Sequence, residues 1–370
     1  MLEGIKYSYN DVAIVPAVQS SIKHRSECDP YKNGMLPIFT APMSTVVNEE
    51  NFNLFKENKI IPILPRNISF ETRKKYLEKG EWVAVGLNEF DDLFLSNNWD
   101  FKKNPKVNVL IDVANGHMEV LHTSINKAKT KYKEGNGFFI MAGNIANPKT
   151  YVKLAEAGCD AVRLGVGNGF GCLTSSNVSV NFPLASLVME TYMIKCELEN
   201  VMKKVPLIIA DGGVRNYSDV IRTYALGADY VMIGSVLASL IESAAPIYYY
   251  EKEGFVEKRK YINQFEHNIT EHNGNFIVDG EKEIKSPKKL FYGMASRRGQ
   301  KDINGEKKKT SEGVEKELDV NTNISKWVEN MVSYLRSAMS YTNCHTISEF
   351  NPKFVDTIIM SENAQKSINK

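Results

Sequence analysis

The chain has 370 residues, 43% of them hydrophobic, and 46 basic residues nearly cancel 44 acidic ones to leave a net charge of +2. That is enough apolar material for one large core or two ordinary ones. The charge balance gives no ground for a nucleic-acid or membrane-surface protein, and ordinary Gly, Pro and aromatic content argues against low complexity.

The N-terminus, MLEGIKYSYNDVAIVPA, has no apolar core of signal-peptide type. No apolar run nears the roughly 20 residues of a membrane span. Short apolar runs then recur: Leu36–Ala41, Lys59–Leu64, Trp82–Leu87, Val107–Asp112, Phe138–Ala142, Ala161–Gly165, Pro206–Ala210 and Tyr230–Gly234. They are continuous rather than alternating, which predicts parallel strands covered on both faces. Helical spacing lies between them, as in Asn147–Gly158, where Asn147 caps, Pro148 suits the first turn and Gly158 stops the helix. This series predicts an α/β fold of the (β/α)8 TIM-barrel type; a doubly wound open sheet is the alternative. After Glu242 the character changes. Ile247–Ser286 is polar, with little periodicity, and reads as an excursion or hairpin. A charged, mobile loop is expected at Lys301–Lys309, within a flap over about 295–312, and Asn323–Ala338 reads as a closing helix. The whole chain, 1–370, is expected to form one catalytic domain.

Active sites of this fold lie on the loops after the strands. The sixth run opens into GVGNGFGCLTSS, where four glycines precede Cys172. Such a loop lets backbone approach a ligand closely and makes Cys172 a candidate nucleophile. Cys28, Cys159, Cys196 and Cys344 read as structural; the odd number and absence of a CxxC pair argue against a zinc site and fit a reducing, cytoplasmic compartment. Asp211-Gly212-Gly213 follows the seventh run and Gly234-Ser235 the eighth, the usual phosphate cradle of a barrel. Asp112, at the end of the fourth run, either fixes a ligand amide or caps the next helix. His117 is a weaker candidate; His24, His122, His267, His272 and His345 read as solvated or structural.

These segments together resemble the IMP dehydrogenase and GMP reductase family. GVGNGFGCLTSS is similar to its cysteine loop and DGGVRNYSDVIRTYALGADYVMIGSVLA to its phosphate-binding stretch. SYNDVAIVPA, TAPMSTV, RNISFE, MAGNIANP, LFYGMAS, SEGVE and LRSAMSYTN extend the likeness from Tyr7 to Phe350. The resemblance implies attack of Cys172 on purine C2, with hydride moving between C2 and a nicotinamide cofactor, NADPH or NAD. It implies catalysis by Cys172 and Thr174. Asp211, Gly213, Gly234 and Ser235 would hold ribose and phosphate. Met43, Tyr292, Gly293, Met294 and Glu312 would contact base or phosphate, and Asp112, Ala114 and Asn115 the nicotinamide. Gly167 and Gly169, with Cys172, match a monovalent-cation (potassium) site. It also implies a homotetramer with a purine nucleotide as substrate.

IDVANGH, the direct passage from RNISFE to WVAVG without room for CBS modules, and a short Met294–Glu312 segment resemble the reductases. They imply conversion of GMP to IMP; oxidation of IMP to XMP with NAD, or a binding paralog without turnover, are the alternatives. Three positions depart from the family pattern. Phe170 replaces a phosphate-binding serine, Ser175 replaces a reductase arginine, and spacing from GMAS puts the reductase glutamate on Arg297.

Overall fold

The computed structural model describes residues 4–132, 137–253, 256–272, 274–304 and 310–368. Seven of the eight apolar runs form one parallel sheet: Ile38–Thr40, Trp82–Val85, Lys106–Asp112, Gly137–Ile145, Ala161–Leu164, Leu207–Asp211 and Tyr230–Ile233. The first of these pairs with the last, and each of the others with its neighbours in sequence.

The remaining run, Lys59–Leu64, closes the sheet on itself. Ile61 bridges Phe39 and Leu64 bridges Val83, both in parallel. Thr40 N–H donates to the Ile61 carbonyl at 3.0 Å, and Ala84 N–H to the Leu64 carbonyl at 2.9 Å. Between them Pro62 has no N–H, so this edge is held by separate bridges rather than a ladder. Closure gives the (β/α)8 barrel and removes the open-sheet alternative.

Alternation along the strands explains why the runs read as continuously apolar. Phe39, Ala84, Leu110, Met141, Ile209 and Met232 fill the interior. Their neighbours Ile38, Val83, Val109, Ile140, Ile208 and Val231 face the surrounding helices and are equally buried. The helices Phe70–Glu78, Glu119–Lys131, Leu184–Glu199 and Tyr217–Ala225 supply that outer layer. The helix expected over Asn147–Gly158 is shorter, Thr150–Glu156. Asn147 uses its carbonyl and side chain to form a turn first, accepting from Thr150 and Lys149 N–H.

Gly165 marks the strand-to-loop transition. Its φ is +123°, and a Cβ there would overlap the Asp211 carbonyl oxygen on the next strand. Gly165→Ala therefore combines backbone strain with a clash and is expected to cost about 2–4 kcal/mol. Chemical denaturation would measure it; a loss below ~1 kcal/mol would show that the strands can part here.

The polar excursion is two antiparallel sheets rather than one hairpin. One joins Ile247–Glu253, Val256–Ile262, Lys288–Phe291 and Lys316–Asp319; the other joins Ile269–His272, Asn275–Val278 and Lys282–Ile284. In Asn275–Val278 burial alternates, with Phe276 and Val278 buried around Ile277, whereas Ile247, Tyr248 and Tyr249 are buried in succession. The core of the two sheets includes Ile241, Ile247, Tyr249 and Ile284. Lys289 ties this unit to the barrel. It is fully buried and donates to the Ile241 and Ser243 carbonyls at 2.7 and 2.9 Å and to the Ser243 hydroxyl at 2.8 Å. Burial pushes its pKa well below the usual lysine range.

Phe291 pairs with Lys316, so the two ends of the intervening flap leave the sheet side by side. Part of the loop expected to be mobile is a helix, Arg297–Asn304; residues 305–309 lie outside those described. The closing helix is Ile324–Tyr341, capped by the Asn323 side chain and buried along Trp327, Met331 and Leu335. Beyond it, Thr357–Ile359 pairs with Val12–Ile14. No helix among the described residues is long and apolar enough to cross a membrane.

Candidate active site

The expected site residues converge at the C-terminal mouth of the barrel. Cys172 is half-buried in the glycine-rich loop, and its N–H donates to the Gly169 carbonyl at 3.0 Å. Its Sγ lies 3.3 Å from Thr174 Oγ1, whose hydroxyl donates to Glu312 Oε2 at 2.8 Å. The flap delivers Glu312. Leu173 N–H donates to the Glu312 carbonyl at 2.7 Å, and Val314 N–H to the Gly171 carbonyl at 2.9 Å. A short antiparallel bridge between Cys172 and Gly313 results. A thiol, a hydroxyl and a carboxylate are thus linked in one chain by residues 138 apart in sequence.

The position that spacing from GMAS gives to the reductase glutamate holds Arg297. Arg297 is exposed at the start of the flap helix. The carboxylate bonded to Thr174 is that of Glu312, which the strand pairing after the flap returns to the cysteine loop. Phe170 is 46% exposed, with Phe291 at 6.0 Å between ring centres and Lys316 Nζ 3.9 Å from its centroid. Ser175 donates its hydroxyl to the Gly167 carbonyl at 3.1 Å and so closes the loop locally.

The turns after the seventh and eighth strands lie against this loop. Gly213 N–H donates to the Asn168 carbonyl at 3.0 Å, and Gly212, at φ +89°, leaves no room for a Cβ beside Asn168 and Gly169. Gly234 stands at the start of the short helix Ser235–Ala238. Met43 reaches between two glycines. Its Sδ would be 3.2 Å from a Cβ on Gly234, and its Cε 3.6 Å from one on Gly293. Tyr292 turns its hydroxyl to Asp302 in the flap helix, at 3.0 Å, and Gly293 accepts from the Ser296 hydroxyl at 2.7 Å. Met294 follows in the same tight turn, where Gly299 packs against its Cα.

Beneath these turns is a charge network that the apolar reading of the strands passed over. Arg163 is 9% exposed and donates to Asp112 Oδ1 at 2.6 Å and to Asp211 Oδ2 at 2.9 Å. Asn144 also donates to Asp211 Oδ2, at 2.8 Å, and to the Gly165 carbonyl at 2.7 Å. Burial opposes the charge of Arg163, but the two carboxylates outweigh it and hold its pKa above the usual value. The signal was present in the sequence as one arginine inside an apolar run, AVRLG.

Asp112 keeps one open acceptor, since its Oδ2 is buried and has no partner. Arg66 donates to the Asp112 carbonyl at 3.2 Å, while its own Nε is buried and partnerless. Ala114 and Asn115 are exposed beside them. His117 is occupied structurally. Ala146 N–H donates to its Nε2 at 3.0 Å, which assigns the ring proton to Nδ1, 2.8 Å from the Thr150 hydroxyl. Burial, with His122 nearby, keeps its pKa below the usual range.

The expected monovalent-cation loop is closed by its own hydrogen bonds. The Gly167 and Gly169 carbonyls already accept bonds from Ser175 and Cys172. Asn168 Oδ1 is the one buried side-chain oxygen without a partner in that loop.

A family model described as IMP dehydrogenase / GMP reductase domain matches residues 103–367. The GMP reductase of Shouchella clausii (strain KSM-K16) is 29% identical over 293 residues, which is 76% of this chain and 84% of that one. The GMP reductase of Staphylococcus carnosus (strain TM300) is 30% identical over 287 residues, 75% of this chain and 83% of its own. The inosine-5'-monophosphate dehydrogenase of Chlorobaculum tepidum is 32% identical over 250 residues, 67% of this chain but 44% of its own. Barrel, cysteine loop and these matches agree, and the chain belongs to the IMP dehydrogenase / GMP reductase family of oxidoreductases.

Proposed function

We propose that the protein is a GMP reductase, converting GMP to IMP and ammonia at the expense of NADPH. The observation that carries this reading is the chain from Cys172 Sγ through Thr174 Oγ1 to Glu312 Oε2. In the proposed reaction the Cys172 sulfur bonds to purine C2 and the 2-amino group leaves with a proton. C2 then receives a hydride, and the carbon–sulfur bond breaks to release IMP and the thiolate. The leaving amine needs a proton at the carbon that the sulfur attacks. The hydrogen bonds run from the thiol through the Thr174 hydroxyl to Glu312, so the thiol proton would pass to Glu312 as the sulfur attacks and return from it to the leaving amine. The proposed roles of Met43, Asp211, Gly213, Gly234, Ser235 and Gly293 are to seat base, ribose and phosphate against the two glycine turns.

The nicotinamide cofactor would supply the hydride. Asp112 Oδ2 and Arg66 Nε suit it, because one is an open acceptor and the other an open donor. A carboxamide offers the complement of both. Ala114 and Asn115 would line its approach. No step is assigned to a metal ion. The reductase direction is favoured because GMP reductases align over 83–84% of their own length, and the dehydrogenase over 44% of its own. Oxidation of IMP to XMP with NAD is the second reading, supported by the 32% identity to that dehydrogenase.

The test is absorbance at 340 nm with purified protein, NADPH and GMP. Oxidation of NADPH is expected, and Glu312→Gln is expected to lower kcat by roughly 10²–10⁴-fold, because it leaves the amine without its acid. Activity with IMP and NAD alone would replace the reductase reading by the dehydrogenase one. Full reductase activity in Glu312→Gln would remove Glu312 from the proton path.

A further inference from the structure

The opposite, N-terminal mouth of the barrel holds a second cavity, of about 560 Å³. Barrel interiors are ordinarily filled by side chains. Here the floor is Met141, Ala161 and Ile209, which belong to the buried interior layer. The walls are aromatic. Trp82 packs edge-on against Phe39 at 5.2 Å and Phe139 at 5.4 Å, and Tyr230 against Phe39 at 5.1 Å. The volume falls within the roughly 300–1,000 Å³ of small-molecule sites.

The rim is positive in a chain that is otherwise nearly neutral. Lys32, Lys56, Lys79 and Lys106 line it against a single carboxylate, Glu81. Glu81 is taken by Lys56 at 2.5 Å, and Lys32 lies 3.7 Å from Asp229. Among the described residues neither Lys79 nor Lys106 forms an ion pair. Lys56 and Lys79 close helix C-termini, a role that needs no ligand. Lys106 begins a strand instead, with its stem laid over Gly80, where a Cβ would meet Lys106 Cδ at 3.0 Å.

We propose that this mouth is a binding site for a small aromatic anion, its ring held among Trp82, Phe39 and Tyr230 and its negative group facing Lys79 and Lys106. The site is separate from the cysteine mouth and does not depend on which reaction runs there. The probe is 8-anilinonaphthalene-1-sulfonate, followed by tryptophan quenching. A saturable quench is expected in the wild type and its loss in Trp82→Phe. Lys79→Glu/Lys106→Glu is expected to weaken binding at least about tenfold, or about 1.4 kcal/mol. The uncharged N-phenyl-1-naphthylamine is expected to bind more weakly than the sulfonate. Lys106→Gln keeps the stem over Gly80 and should give a smaller loss in the same direction, which guards against misreading an unfolded double variant. Equal affinity in the lysine variants, or equal affinity for the uncharged dye, would overturn the proposal.

Discussion

Cys172→Ala is expected to leave a folded protein that still binds the purine nucleotide but turns over at least about 10³-fold more slowly. Removing a covalent nucleophile takes away the whole route rather than one contact in it. The thiol makes a weak hydrogen bond to Thr174 and is half-buried, so its loss opens no large cavity. Single-turnover NADPH oxidation and equilibrium binding of GMP separate the two effects. A drop in binding equal to the drop in rate would mean that the cysteine holds the ground state and forms no covalent bond with it. Undiminished turnover would move the chemistry to another residue altogether.

The second large effect is expected at Arg163. Arg163→Leu leaves Asp112 and Asp211 facing each other in the barrel mouth without their cation. Breaking a buried pair in this way costs about 3–5 kcal/mol, more than removing an exposed one. Thermal unfolding should shift down by on the order of 10 °C. Adding Asp112→Asn to Arg163→Leu removes one stranded charge and should recover part of the loss, a coupling that a double-mutant cycle reads directly. Additive losses would show that the Asp112–Arg163 contact at 2.6 Å carries no net energy. Arg163→Lys is a sharper case, because an ammonium is a point charge and cannot reproduce the guanidinium fork that spans both carboxylates.

The barrel was legible because parallel strands bury both faces. Trp82–Val85 and Tyr230–Ile233 therefore announce themselves as short unbroken apolar runs. The cysteine loop was legible because four glycines before Cys172 are a backbone requirement written directly in residue types. The two excursion sheets were not legible. Asn275–Val278 buries only alternate residues, and Val256–Ile262 carries the charges Lys258, Arg259 and Lys260, which hides the period from an apolar count. Arg163 was hidden in the opposite way, as one charge in a run whose apolar neighbours fixed its reading as core.

Residue types and local spacing alone determined the strand series and the glycine turns, since each depends on what a few neighbouring residues permit. What meets the cysteine loop was decided only by tertiary structure. Arg297, at the position that spacing from GMAS gives to the reductase glutamate, is exposed, whereas the pairing of Phe291 with Lys316 folds the flap back and sets Glu312 against Thr174. Spacing along a chain measures distance only while the chain keeps one regular form. A flap breaks that form, and the strands that clamp its ends then choose which carboxylate meets the Thr174 hydroxyl.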